Sequence, residues 1–90
     1  MLVPSFTRQF KADRKRALKR SGDIELLDRT IERLIAEEVH EPRYRVHKLR
    51  GGYVGHWECH LEPDFLLIWY RSGDDAIVFV RVGTHSDLFG

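Results

Sequence analysis

Three segments in the second half of this chain are typical of β-strands, and they constrain the fold more than any other feature. They cover residues 53–61, 64–71 and 76–83, and the last two are rich in aromatic and β-branched side chains. Pro63 marks the first turn between them, and the Ser-Gly-Asp-Asp sequence at 72–75 marks the second. Because strands joined by short turns pair as hairpins, we predict a three-stranded antiparallel sheet.

The first half of the chain has the pattern of two helices. Ser5 has the residue type of an N-cap for the first helix, and Ser21-Gly22 is a typical helix end. The apolar face of this helix is sparse and consists of Phe6, Phe10, Ala17 and Leu18. Asp23 can cap the second helix, which ends before Pro42 and carries a clear apolar stripe. That stripe is formed by Ile24, Leu27, Ile31, Leu34 and Ile35.

These elements predict an α+β fold in which the two N-terminal helices pack on one face of a small antiparallel sheet. Residues 1–4 are apolar and could add a short edge strand, and we interpret the basic residues between 43 and 52 as a loop. A chain of 90 residues has room for one compact hydrophobic core. We therefore expect residues 1–90 to form a single domain.

Composition and hydropathy exclude several classes of protein. The longest apolar stretch, residues 65–70, is six residues long, whereas a membrane span needs about 20. The N-terminal residues lack the apolar stretch and the small-residue cleavage site of a secretion signal. Cys59 is the single cysteine, which excludes an internal disulfide framework and a cysteine-rich zinc site. We therefore expect a cytoplasmic protein that has no contact with membranes.

Charge is distributed unevenly along the chain, although the net charge is only +1. Residues 1–50 carry 13 basic and 8 acidic side chains, whereas residues 51–90 carry 2 and 6. Between Arg8 and Arg20 there are seven basic residues and a single acidic one, Asp13. Such asymmetry is typical of a chain that binds a polyanion or an acidic surface, and a solvated helix face is the alternative explanation.

The predicted hairpins bring polar residues together at one end of the sheet. We place His60 opposite Asp64 and Arg71 opposite Ala76, and these pairings fix the faces because side chains alternate along a strand. One face is then apolar and suits the helices; it contains Trp57, Cys59, Phe65, Leu67, Trp69, Val78, Val80 and Val82. At one end of the other face, the same register gathers His60, Asp64, Arg81 and His85.

A patch of two imidazoles, a carboxylate and a guanidinium can move protons and stabilise a developing anion. Cleavage of an RNA phosphodiester needs these groups: a base for the 2′-OH, a cation for the phosphate oxygens and an acid for the leaving 5′ oxygen. Histidine suits both proton-transfer roles because its unperturbed pKa, about 6.5, lies near the working pH. The alternatives are ordinary exposed side chains or a metal site built on His56, His60 and Asp64, although no tight ligand spacing supports a structural zinc.

Three segments in the second half resemble motifs of the RelE/ParE superfamily of small bacterial toxins. The sequence His-Lys-Leu-Arg-Gly at 47–51 resembles the H-x-L-x-G segment of that family. The hairpin sequence at 59–68 resembles H-x-x-P-D-[WF]-x-L-I-[YW], and residues 83–90 resemble the terminal G-T-H-x-x-L-F-G. Together the three segments are similar to those of the YafQ-type mRNA interferases, and the order of the predicted elements fits the same superfamily.

The resemblance implies the toxin of a type II toxin–antitoxin system: a ribosome-dependent endoribonuclease that cleaves mRNA in the A site without a metal or another cofactor. It implies five catalytic positions, namely His47, His60, Asp64, Arg81 and His85. We assign His85 as the general acid and Arg81 as the clamp for the transition state. The base would be His47 or His60, oriented by Asp64.

The resemblance also implies residues and partners for RNA binding. Phe65 and Phe89 match aromatic positions of the family, although Phe89 could instead anchor the C-terminus. The cations that would contact RNA phosphates are Arg8, Lys11, Lys15, Lys48 and Arg50, together with Arg14, Lys19, Arg20, Arg43 and Arg45. The expected partners are a small acidic antitoxin, the ribosome and mRNA. The alternatives are a ParE-like toxin that inhibits a DNA topoisomerase and an inactive relative that only represses transcription.

Overall fold

A computed structural model describes residues 1–20, 22–38, 47–48 and 55–90 of the chain. Its strands are β1 (Val3–Phe6), β2 (His47–Lys48), β3 (Trp57–Glu62), β4 (Phe65–Ser72) and β5 (Ala76–Gly83). Its helices are α1 (Arg8–Lys19), α2 (Ile24–Ile35) and α3 (His85–Phe89). The strands form one sheet in the order β1-β5-β4-β3-β2. The sheet is mixed, because β1 runs parallel to β5 while the other neighbours are antiparallel.

The predicted α+β fold with its antiparallel meander is confirmed, and β5 has the predicted bounds. The first strand of the meander is shorter than predicted, because residues 55–56 lie outside it. The predicted edge strand is present, shifted to Val3–Phe6. Within the predicted basic loop, His47 and Lys48 instead form β2 and pair with β3. The rest of that loop lies outside the described residues.

Both predicted helices are present, but the first begins later than predicted. Thr7 is its N-cap and accepts a hydrogen bond from the Phe10 amide at 3.0 Å. Ser5, the predicted cap, belongs to β1 and lies opposite Val78. Asp23 caps α2 as predicted, since its side chain accepts from a backbone amide of the first turn at 2.9 Å. No helix in the described ranges is long and apolar enough to cross a membrane.

The main core lies between the two long helices and one face of the sheet. α1 buries Phe10, Asp13 and Ala17, whereas Leu18, predicted to belong to this face, is 59% exposed. α2 buries Leu27, Ile31 and Leu34 of its predicted stripe. The sheet contributes Cys59, Phe65, Leu67, Trp69, Ile77, Phe79 and Val82. Burial of a large apolar side chain contributes about 1.5–3 kcal/mol, so packing on the sheet holds these short helices in place.

The core face of β5 differs from the predicted one because Arg71 lies opposite Ile77, one residue away from the predicted Ala76, and an extra residue then interrupts the strand. On one side of this bulge Trp69 lies opposite Phe79, and on the other side Ile68 lies opposite Arg81. A shift of one residue exchanges the two faces of a strand. The residues of β5 that enter the core before the bulge are therefore Ile77 and Phe79, and the prediction that they are Val78 and Val80 is wrong.

The opposite face of the sheet is partly covered by α3. Leu88 of this helix is buried in a second apolar cluster with Leu66, Ile68 and Val80. Thr84 caps the helix, and its side chain and that of Asp87 each accept a hydrogen bond from the other's backbone N–H. The C-terminal residues are therefore not a free tail, because a capped and anchored helix holds them against the sheet.

We expect Leu88→Ala to lower the free energy of unfolding by about 2–4 kcal/mol, because it removes a buried side chain and leaves a cavity. Urea-induced unfolding followed by circular dichroism measures the change. Phe89→Ala is the matched control, since Phe89 lies in the same helix, is 50% exposed and should cost less than about 1 kcal/mol. Equal effects of the two substitutions would show that Leu88 does not anchor α3.

We also expect Cys59 to be chemically inert in the native protein. Its side chain is fully buried, and burial, with a smaller contribution from the Glu58 carboxylate, raises the pKa of the thiol to about 12. Because the thiolate is the reactive form, iodoacetamide at pH 8 should leave native Cys59 unmodified and should modify it fully in guanidinium chloride. Mass spectrometry measures both reactions. Equally rapid labelling of the native and unfolded protein would contradict this prediction.

Candidate active site

His60, Asp64 and His85 lie together at one end of the sheet. His60 is in β3, Asp64 is in the turn that follows, and His85 is the first residue of α3. Nδ1 of His85 lies 2.7 Å from Oδ1 of Asp64, and the backbone N–H of His85 donates to the same oxygen at 2.8 Å. The ring centroids of His60 and His85 are 5.8 Å apart. Two imidazoles and a carboxylate therefore share one small surface, although His60 lies opposite Leu66 and not opposite Asp64 as predicted.

The pair of Asp64 and His85 is open to solvent, and the contact between them fixes which ring nitrogen of His85 faces the carboxylate. The two side chains are 62% and 53% exposed. The backbone N–H of His85, followed by its side chain, holds the pKa of Asp64 below the ordinary value for aspartate. A carboxylate that stays ionised keeps a proton on Nδ1 of His85. The Nε2 atom of the same ring is then the nitrogen that can exchange a proton with a substrate.

A second pair of carboxylate and histidine includes Glu58, which is absent from the predicted site. Oε1 of Glu58 lies 2.8 Å from Nε2 of His60, and the two side chains are 6% and 16% exposed. A buried carboxylate needs a polar partner, and His60 supplies one. The signal for this pair in the sequence is small: the residues are two positions apart in a strand and so share a face.

The register of the sheet places His47 and Arg81 in the same row as Glu58. His47 lies opposite Glu58, Glu58 opposite Ile68, and Ile68 opposite Arg81. Because neighbouring strands are about 4.8 Å apart, this row crosses four strands within about 15 Å. The backbone of His47 thus lies beside β3, opposite the carboxylate residue that pairs with His60, while its side chain lies outside the described part of the chain.

Arg81 is held at the edge of the sheet by α1. Since β1 ends opposite Phe79, no strand of the described residues pairs with the rest of β5 on that side. There Arg81 donates from Nε to Oδ2 of Asp13 at 2.7 Å and from Nη2 to Oδ1 at 3.2 Å. Nη2 also donates to the Asp87 carbonyl at 3.4 Å. The side chain is 19% exposed, so Arg81 is a partly buried cation with a defined orientation.

Asp87 ties α3 to α1. Its carboxylate accepts from Nη1 of Arg20 at 3.0 and 3.1 Å, and Nη2 of Arg16 lies 3.7 Å away. The backbone N–H of Thr84 is the main cause that lowers the pKa of Asp87, with a further contribution from Arg20. Asp87 belongs to the helix that begins at His85, so these contacts position that histidine over the end of the sheet.

The two aromatic residues predicted to contact RNA have different environments. Phe89 is 50% exposed, and its ring centroid lies 6.4 Å from that of His85. Phe65 is only 7% exposed and belongs to the main core. A ring this deeply buried is not available for stacking on a base, so the prediction that Phe65 contacts RNA is wrong.

The predicted RNA-binding cations divide into two groups. Arg8, Lys11, Lys15 and Lys19 are exposed on α1. By contrast, Arg14 pairs with Asp28 at 2.7 Å, and Arg20 pairs with Asp87, so these two cations connect elements of the fold. The backbone of Lys48 lies in β2. The other predicted cations, Arg43, Arg45 and Arg50, lie outside the described residues.

The described residues do not assemble the alternative metal site. Over the described ranges, no three His, Cys, Asp or Glu side chains are placed to hold one ion. His56, proposed as a ligand with His60 and Asp64, instead packs its ring against Tyr70 with centroids 5.1 Å apart. Asp64 is directed to His85. The surface is therefore better suited to proton transfer than to binding a metal through these three residues.

The chain matches a known family over nearly its whole length. Residues 2–90 match the model of a family described as a bacterial toxin of type II toxin–antitoxin system, YafQ. The chain is 37% identical over 86 residues to the mRNA interferase toxin YafQ of Escherichia coli strain K12. That alignment covers 94% of this chain and 92% of the E. coli protein.

Solved structures agree with this match. The crystal structure of the E. coli DinJ–YafQ complex has a chain that superposes with a TM-score of 0.91 and 33% identity over the full length of both. A metal-bound toxin from Helicobacter pylori superposes with a TM-score of 0.90 and 36% identity over 99% of this chain and all of that one. The chain therefore belongs to the YafQ family of bacterial toxins of type II toxin–antitoxin systems.

Proposed function

We propose that this protein is an endoribonuclease that cleaves mRNA in the ribosomal A site by metal-free acid–base catalysis. The observation that carries the proposal is the pairing of His60 and His85, each with a carboxylate, at 5.8 Å between ring centroids. The E. coli relative is named an mRNA interferase, which supports mRNA as the substrate. The same name favours a nuclease over the alternative of a ParE-like topoisomerase inhibitor.

Cleavage would proceed by attack of the 2′-OH on the adjacent phosphorus with departure of the 5′ oxygen. His85 is the general acid: Asp64 holds its Nδ1, and Nε2 gives a proton to the leaving oxygen. The base that takes the 2′-OH proton is His60, oriented by Glu58, or His47 in the neighbouring strand. Each such proton transfer accelerates a reaction by roughly 10²–10⁴-fold.

Arg81 supplies the positive charge in this scheme. The phosphate gains negative charge on its non-bridging oxygens in the transition state, and a fixed cation stabilises that charge without reorganisation. The contacts of Arg81 with Asp13 and the Asp87 carbonyl fix the guanidinium before substrate arrives. The histidines move the protons and the guanidinium neutralises the phosphate, so the scheme includes no step that needs a metal or a cofactor.

Binding of ribosome and mRNA would use the exposed cations and Phe89. Arg8, Lys11 and Lys15 present positive charge from α1, and Lys48 and Arg50 belong to the basic segment before β3. Contacts between cations and phosphates are independent of sequence and weaken with salt. Phe89 is half exposed beside His85 and can stack on a base next to the scissile bond.

We further propose that a cognate antitoxin binds this toxin, as DinJ accompanies YafQ in the E. coli complex. An acidic antitoxin segment would complement the exposed cations of α1 and would compete with RNA for them. Because the proposed substrate is mRNA on the ribosome, we place the protein in the cytoplasm.

The pKa of Asp64 gives a direct test of the site geometry. We expect the carboxyl group to titrate below about 3.9, the ordinary value for aspartate, and so to stay ionised at pH 5–8. Carbon-13 NMR of the side-chain carboxyl measures this pKa. In His85→Ala the pKa should rise only part of the way, because the backbone N–H of residue 85 is the larger cause and remains. A normal pKa in the unsubstituted protein would contradict the Asp64–His85 pairing.

Cleavage of mRNA on programmed ribosomes tests the proposed activity. We expect His85→Ala to lower the cleavage rate by roughly 10²–10⁴-fold, because the general acid is removed. His56→Ala is the matched control and should cleave at the normal rate, since His56 packs on Tyr70 outside the cluster. Toxin that is treated with EDTA, and freed of it before Mg²⁺-containing ribosomes are added, should cleave at the normal rate. Messenger RNA without ribosomes should remain intact.

Each result has a distinct meaning. Undiminished cleavage by His85→Ala would overturn the catalytic assignment, and loss of activity by the EDTA-treated toxin would overturn metal-free catalysis. Equal cleavage of free and ribosome-bound mRNA would overturn ribosome dependence. Absence of cleavage by the unsubstituted protein would favour the inactive relative that only represses transcription.

A further inference from the structure

Asp13 is a buried carboxylate on a helix that is otherwise rich in exposed basic residues. Its side chain has no exposed surface. Within the described residues it accepts five hydrogen bonds, from Gln9 Nε2, Arg16 Nη2, Arg81 Nε, Arg81 Nη2 and the Val82 amide. The lengths of these bonds lie between 2.7 and 3.2 Å. A buried charge is costly unless such donors surround it, so the site is built around this carboxylate.

Two of these contacts define the orientation of the Arg81 guanidinium. Nε and Nη2 of Arg81 contact different oxygens of Asp13, and a two-point contact fixes the plane of the guanidinium as well as its position. The oxygen that accepts from Nε also accepts from the backbone N–H of Val82 at 3.1 Å. The carboxylate is thus fixed relative to the strand that leads to His85.

We infer that Asp13 is a positioning residue for catalysis, which acts by holding Arg81 at the scissile phosphate. The inference rests on the proposed function of Arg81 and goes beyond it by naming what places the guanidinium. The third contact of Arg81, with the Asp87 carbonyl, is to the helix that carries His85. Asp13 therefore sets the spacing between the cation that receives the phosphate and the acid that protonates the leaving oxygen.

Removal of the negative charge of Asp13 distinguishes the positioning role from a purely electrostatic one. A carboxylate beside Arg81 partly neutralises the guanidinium and weakens its attraction for phosphate. If charge alone mattered, Asp13→Asn would bind RNA more tightly and cleave it at least as fast. If positioning matters, the same substitution lowers kcat while KM stays equal or falls, because misplacement of a catalytic group by about 1 Å costs up to about 100-fold.

A double-mutant cycle measured by cleavage on programmed ribosomes tests the inference. The proteins are the unsubstituted toxin, Asp13→Asn, Arg81→Ala and the double variant. We expect Asp13→Asn to lower kcat by about 10- to 100-fold in the presence of Arg81. We expect it to change kcat by less than about twofold in the Arg81→Ala background, since residues that act through each other are not additive.

Two further variants separate positioning from stability. Asp28→Asn removes an α2 carboxylate that pairs with Arg14 of α1 at 2.7 Å in a half-exposed contact, and it should leave kcat unchanged. Arg81→Lys keeps the charge but cannot make the two-point contact, so it should lose kcat as Asp13→Asn does. Circular dichroism reports whether each variant is folded, and Arg81→Lys serves as the test if Asp13→Asn does not fold.

The outcomes distinguish this inference from the proposed function. Full activity of Asp13→Asn or of Arg81→Lys, with Arg81→Ala inactive, would overturn the positioning role alone. The same loss from Asp13→Asn with and without Arg81 would also overturn it and would show a purely structural role. Full activity of Arg81→Ala would instead overturn the proposed role of the guanidinium itself.

Discussion

The contact between the Asp13 carboxylate and the open edge of β5 connects the helical layer to the end of the sheet that carries the histidines. β1 covers this edge only as far as Phe79. Beyond it, the Thr7 hydroxyl donates to the Val80 carbonyl at 2.8 Å, and Asp13 accepts from the Val82 amide. The N-cap and first two turns of α1 therefore supply hydrogen-bonding partners for β5 beyond the end of β1. Without these partners, buried backbone groups would lose their hydrogen bonds, and Arg81 would lose its support.

The location of the histidine cluster could be predicted from the sequence even though the register was inexact. The prediction places His60 opposite Asp64, whereas the structure places it opposite Leu66. An error of two residues leaves every side chain on its predicted face, because the alternation along a strand has a period of two. The prediction that His60, Asp64 and His85 lie together therefore holds despite the error in register. The predicted core face of β5 does not hold, because between the turn and the bulge its pairing differs from the predicted one by a single residue, which brings Phe79 into the core.

The residues that support the cluster are harder to predict, because the sequence alone does not distinguish a buried charged side chain from an exposed one. Asp13 is the one acidic residue in a helix with six basic ones, and it falls on the buried stripe of Phe10 and Ala17. That spacing predicts a buried Asp13 only if the prediction accepts a carboxylate among core residues. The short helix α3 had a clearer signal, since Thr84 and Asp87 have the spacing of a capping box.

The parallel strand β1 has a consequence for when the fold can form during synthesis. Thr7, directly after β1, and its hydrogen-bonding partner Val80 are 73 positions apart. A chain made from its N-terminus exposes β1 and both long helices before the strands that they contact exist, and contacts across such a separation form slowly. The pairing of β1 with β5 therefore completes late, and α3 follows β5. The groups that we assign to cleavage come together only when nearly all of these 90 residues have left the ribosome.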